Sequence, residues 1–157
     1  MWWIGGVTCS GKTTIAGLIA RQFNARVYST DDTFDQHARN ASCHAHPTMH
    51  SYQNDEDWGK WVRGLSPVEA SRVWLQFYRE RISMILDDLS ESPGGSTVVE
   101  GVDLLPELVL PRVSLDLTVW LVPTRRFFFD HYAEREWVQE EPDEATWEYY
   151  KLMIQHV

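Results

Sequence analysis

Short apolar runs alternate along this chain with stretches in which apolar residues recur every three or four positions. Trp2 to Ile4 forms the first run and predicts a strand; Gly5-Gly6 follows, and Ile15, Leu18, Ile19 and Phe23 then keep the helical period. Ala25 to Ser29 predicts a second strand, with Thr30-Asp31-Asp32 at its carboxyl end, where open α/β sheets place their chemistry. Ser66-Pro67-Val68-Glu69 is a capping box with proline at the first helical position. Trp74, Phe77, Tyr78, Ile82, Ile85, Leu86 and Leu89 mark one apolar face of the helix it opens. Ser92-Pro93-Gly94-Gly95 stops that helix, and Thr97 to Gly101 predicts a buried parallel strand carrying Glu100 near its end. Leu117 to Val122 supplies a fourth strand, and Thr124 to Trp137 a helix. Asp143 is placed to cap a last helix bearing Trp147, Tyr150, Ile154 and Val157 on one side. Strands alternating with helices require connections that cross back over the sheet, so the expected fold class is α/β in three layers, with a parallel sheet of four strands or five.

Residues 36–64 break this rhythm, being polar, rich in histidine and aperiodic. A connection of that length is usually functional, and a flap on the substrate side is expected there. At 157 residues the chain has the size of one domain. Its formal net charge of -9 argues against a nucleic-acid partner, which needs a basic face. Only Cys9 and Cys43 are present, which is too few for a disulfide framework and fits a reducing, cytoplasmic setting. No apolar run approaches the roughly eighteen residues of a membrane span, so no membrane partner is expected. Most of the eight tryptophans are expected to pack rather than bind.

The chemistry concentrates in Gly6-Val7-Thr8-Cys9-Ser10-Gly11-Lys12-Thr13, which satisfies G-x-x-x-x-G-K-[ST] between a strand and a helix. Backbone N–H groups from Gly6, Thr8, Cys9, Ser10, Gly11 and Lys12 to Thr14 can cradle phosphate oxygens at a helix start. Lys12 can neutralise the β and γ charge, and the Thr13 hydroxyl can bind Mg2+. Asp31 and Asp32 either cap a turn or act on a substrate, one accepting a proton from a hydroxyl and the other helping hold the metal. Glu100 either holds a Mg2+-bound water or is a surface residue at a strand end. Arg125, Arg126 and Arg135 either form a lid over a transferring phosphoryl group or sit in a salt-bridged helix face with Glu134 and Glu136. His37, Cys43, His44, His46 and His50 carry zinc-type donors, but their spacing matches no tetrahedral motif closely.

Three blocks resemble the P-loop kinases of small metabolites, in particular the nicotinamide riboside and uridine kinase group: residues 6–14, residues 27–34 and Val98-Val99-Glu100-Gly101. The resemblance implies a three-layer P-loop NTPase fold and transfer of the γ-phosphoryl group of ATP, with Mg2+, to a hydroxyl of a small metabolite such as a nucleoside. It implies that Asp31 activates the hydroxyl, that Thr13 and Glu100 stand on the metal side, and that Arg126 or Arg135 belongs to a lid over residues 124–142. The likeness does not extend over Gln36 to Asp88, so the acceptor is not carried over. Such kinases continue into a fifth strand and a base-holding loop where this sequence ends. The same blocks resemble 2-phosphoglycerate kinases and phosphotransferases of the chloramphenicol type. A nucleotide-dependent switch that reads out through a partner is the alternative from another class.

Overall fold

Four short strands pair in parallel: β1 (Trp2–Gly6), β2 (Arg26–Ser29), β3 (Thr97–Glu100) and β4 (Thr118–Leu121); β3 is buried along its whole length, whereas Val27 and Val119 on the edge strands face water. Their order across the sheet is β2-β3-β1-β4. The computed structural model describes residues 1–92, 94–113, 117–132, 134–135 and 144–156. Among these, eight α-helices accompany the sheet: α1 (Lys12–Phe23), α2 (Phe34–Asn40), α3 (Pro47–Asn54), α4 (Trp58–Arg63), α5 (Pro67–Glu91), α6 (Pro106–Val109), α7 (Arg125–Tyr132) and α8 (Glu144–Ile154). A 3-10 turn spans Asp31–Thr33. The expected class, α/β with a parallel sheet of four strands, is what forms. None of the described helices is long and apolar enough to cross a membrane.

Alternation of side chains along the strands divides the core between two faces. Ile4 and Val98 pack against Ala16 and Ala20 of α1. Trp3 and Val99 pack on the other face against Ile82, Ile85 and Leu89 of α5. A third cluster joins Phe77 and Tyr78 of α5 to Phe128 of α7 and to Trp147, Tyr150 and Met153 of α8. On α1 only Ile19 of the expected apolar face packs against the sheet; Ile15, Leu18 and Phe23 are 37%, 50% and 53% exposed. The small Ala16 and Ala20 lie inward instead, because a helix carrying a backbone loop at its start must approach the sheet closely. Phe23 finds its partner in Trp2, with ring centroids 5.3 Å apart.

The aperiodic segment 36–64 contains three short helices rather than an irregular connection. Each is about two turns or less, too short to display a period. The segment is anchored on α5 from a distance. His46 does not cap α3 with its side chain. The buried Glu80 carboxylate does so instead, accepting from the N–H groups of Thr48 at 2.9 Å and Met49 at 3.0 Å. The helix expected from Thr124 ends its described part at Tyr132, while Trp137, Asp143, Val157 and the later part of the expected lid lie outside the described residues.

Glu80→Gln, which keeps the size of the side chain and removes its charge, should lower the free energy of unfolding by about 1–3 kcal/mol in urea titrations. The variant should also be cut faster by protease within residues 41–64.

Candidate active site

The strand order decides where a ligand can sit. The connection leaving β1 runs over the α1 face to β2, while that leaving β3 runs to β4, on the far side of β1. Neighbouring strands whose connections diverge open a crevice at their carboxyl ends. Ile4 of β1 stands opposite Glu100 of β3, and Glu100 also stands opposite Ser29 of β2. Into this crevice opens a cleft of about 1350 Å³, lined by residues 7–14, by Glu100 and by side chains from α4, α5 and α8.

The glycine loop has the backbone its sequence demands. Gly11, at φ 86°, precedes α1, and no atom lies within 4 Å of where a Cβ would be, so the side facing the cleft is open. Cys9 holds a left-handed conformation at φ 58°, uncommon for a residue with a side chain and often found where backbone is shaped for binding. Gly6 does not line the cleft: at φ 132° it lies so close to β4 that a Cβ would come within 2.2 Å of the Leu121 carbonyl oxygen. Its role is strand packing at the loop entrance. Thr8, Cys9, Ser10, Gly11, Lys12, Thr13 and Thr14 all line the cleft.

Lys12 is 8% exposed, and its ammonium donates to the Val7 carbonyl at 2.8 Å. Among the described residues it makes no ion pair. Burial lowers its pKa, with Glu100 and Asp31 acting against that shift and Arg135 reinforcing it. Glu100, 2% exposed, accepts on Oε1 from the Ser29 hydroxyl at 2.7 Å and the Thr13 hydroxyl at 3.2 Å. Ser10 Oγ is buried without a hydrogen-bond partner among the described residues. A buried cation, open main chain and an unused hydroxyl fit an anion with several oxygens. The Thr13–Glu100 pair fits a Mg2+ ion that takes one or two protein oxygens and keeps waters or phosphate for the rest.

Asp31 and Arg135 both line the cleft, near enough to Lys12 to act on its charge. Two expected residues are not brought there. Asp32 is exposed and does not line the cleft, because the 3-10 turn gives the two neighbouring aspartates different directions. Arg126 is 91% exposed and lies 3.6 Å from Asp130 one turn along α7, so it is a solvated helix-face pair. Arg125 pairs with Glu144 and lies over the Phe129 ring. Glu136 lies outside the described residues. The histidines do not converge on one point: His37 is buried, Cys43 and His44 are exposed. Among the described residues no group of three or more His, Cys, Asp or Glu is placed to hold a metal ion.

A buried polar network behind Asp31 escaped the sequence reading. Arg81 of α5 is 0% exposed and donates to Asp103, the Thr30 carbonyl, Thr33 Oγ1 at 3.2 Å and His37 Nδ1 at 3.2 Å. His37 Nε2 lies 3.0 Å from Asp88, which also accepts from the Tyr28 hydroxyl at 2.6 Å. Burial pushes the Asp103 carboxyl up, the Arg81 guanidinium opposes the shift, and the balance rests at about 6. The signal was present in the sequence: Arg81 falls among Phe77, Tyr78, Ile82 and Ile85, on the stripe that had to be buried.

No protein-family model matches this chain, and no curated protein sequence matches it.

His37 carries a testable pH dependence. Burial, and then the facing Arg81, hold its pKa below the ordinary 6.5, with Asp88 opposing. The unfolded chain therefore takes up the proton first as pH falls. The contribution of neutral His37 is complete above about 6.5 and is lost as pH drops through the lower folded value. His37→Gln, which does not titrate, should flatten the fall in Tm of the native chain as pH drops below about 6.5.

Proposed function

We propose that this chain is a Mg-ATP-dependent phosphotransferase on a P-loop NTPase fold, acting on a hydroxyl of a small molecule. The observation that carries this reading is the buried Lys12 ammonium, with no ion pair among the described residues, beneath a glycine loop whose cleft side is open. A buried unpaired cation is costly, and an anionic ligand relieves that cost. The strand order supports the fold assignment, because it sets the loop after β1 beside the carboxylate that ends β3.

In this reading the loop amides and Lys12 hold the phosphates, and Thr13 with Glu100 holds Mg2+, which supplies charge neutralisation to the transferring group. Asp31 accepts the proton of the acceptor hydroxyl. Arg135 shares the loop end of the cleft with Lys12 and stabilises charge spread over the phosphoryl oxygens. The acceptor body occupies the aromatic part of the cleft, the acceptor chamber, walled by Phe34, Tyr52, Trp58 and Trp74. Its charged lining is Asp31 and Asp35 against Arg63. That balance suits a ring-bearing alcohol without an acidic group, such as a nucleoside or an aromatic antibiotic, and disfavours a phosphorylated sugar acid.

Lys12→Ala should remove the rise in Tm that Mg-ATP gives the wild-type chain and lower turnover at least about 100-fold. Asp31→Asn should keep the Mg-ATP shift while turnover falls about 10²- to 10⁴-fold. Product is read by mass spectrometry after incubation with Mg-ATP and a panel of nucleosides, aryl alcohols and sugar acids. Wild-type turnover by Lys12→Ala would overturn the proposal.

A further inference from the structure

Arg81 is an expensive residue to bury. A guanidinium with no exposed surface loses its hydration, and a single carboxylate partner seldom does more than offset that loss. The pair is also imperfectly satisfied, since Asp103 Oδ1 and Thr30 Oγ1 are buried with no hydrogen-bond partner among the described residues. Stability alone would be served as well by apolar side chains of similar volume. The arrangement therefore asks for a reason beyond packing.

Its geometry supplies one. Thr30 is 0% exposed and is fixed from both ends of its peptide units. Its N–H donates to the Glu100 carbonyl at 2.9 Å, and its carbonyl accepts from Arg81, from Thr33 N at 3.3 Å and from Thr33 Oγ1 at 3.2 Å. Gly101 presses on the same residue, so that a Cβ there would stand 1.9 Å from Thr30 Oγ1. The next residue is Asp31. The other arm of the guanidinium holds Asp103, three positions beyond Glu100, and its Nε holds His37 of α2. One rigid fork thus touches the end of β2, the loop after β3 and the segment that walls the acceptor chamber. It also lies over Phe34, 4.8 Å from the ring centre. A lysine, with a point charge and no planar fork, cannot span these partners.

We propose that Arg81 is a positioning residue for Asp31: clamped by Asp103, it fixes the Thr30–Asp31 peptide and so holds the Asp31 carboxylate at a set distance from Glu100 across the cleft. This rests on the role given to Asp31 above. Errors of about 1 Å in such a carboxylate cost on the order of 100-fold in rate.

The test separates positioning from folding. In the full chain, Arg81→Met combined with Asp103→Leu replaces the ion pair by apolar groups, and Arg81→Lys keeps the charge but loses the fork. Turnover is read as ADP release from Mg-ATP with water as the acceptor, beside Tm and the Mg-ATP-induced Tm shift. The double variant should keep its Tm and its Mg-ATP shift while kcat falls about 100-fold. Adding Asp31→Asn to it should then cost far less than the same change costs the wild type, since both act through one carboxylate. If the double variant does not fold, Arg81→Lys decides alone, with kcat reduced at least about 10-fold at an unchanged KM for ATP. Wild-type rates in a folded variant, or equal costs of Asp31→Asn in both backgrounds, overturn the inference and leave the phosphotransferase reading standing. An Asp31→Asn single variant as fast as wild type overturns the role of Asp31, and this inference with it.

Discussion

The parallel pairing of β1 with β3 sets Ile4 opposite Glu100, and most of the site follows from that register. A shift by one residue would turn Ile4 and Val99 to the wrong faces of the sheet, removing side chains from both the α1 and the α5 contacts. The register is therefore fixed by burial on two sides at once. As a consequence the loop that leaves β1 and the carboxylate that ends β3 meet at the same level, and the Thr13 hydroxyl reaches Glu100 from the start of α1 at 3.2 Å. Gly6 belongs to this constraint rather than to the cleft, since the pairing of β1 with β4 leaves no room for a side chain there.

Two buried charges divide the work of α5. Glu80 turns outward from the sheet to hold the start of α3, and Arg81 turns toward the strand ends. Adjacent positions on a helix point about 100° apart, so one helix can tether the 36–64 segment and brace the β2 end independently. Both charges are tolerated because they are met by main-chain groups as well as by side chains, the condition under which burial of a charge is affordable. The same helix supplies Trp74 and Tyr78 to the cleft wall.

The cleft itself is polarised. Lys12 with Arg135 and Glu100 near it charges one part of the lining, while in another part aromatic rings pack edge to face, with Tyr52 and Trp58 centroids 5.0 Å apart and Trp58 and Trp74 5.4 Å apart. Rings held in this way form a rigid wall with little rotamer freedom left to lose on binding. Asp31 lines the same cleft, and its charge acts on Lys12. A carboxylate so placed can serve a hydroxyl beside a phosphoryl group, which is why its support by Arg81 matters.

What the sequence determined by itself was local. Gly6 to Thr13 dictates a loop between strand and helix because glycines at 6 and 11 accept positive φ angles at little cost, and Ser66 to Glu69 dictates a helix start because its groups satisfy one another within four residues. The apolar run from Thr97 likewise announced a strand covered on both faces. Tertiary structure decided everything that joins distant residues: the strand order, the choice of Ala16 and Ala20 over Ile15 and Leu18 as the inward face of α1, and the retention of Asp31 and Arg135 in the cleft without Asp32 or Arg126. It also decided the fate of the histidine-rich segment, where His37 joins Asp88 across 51 positions and Arg81 across 44. Local patterns express backbone preferences and periodic burial, whereas the direction of a polar side chain depends on partners that only the packed chain brings within reach.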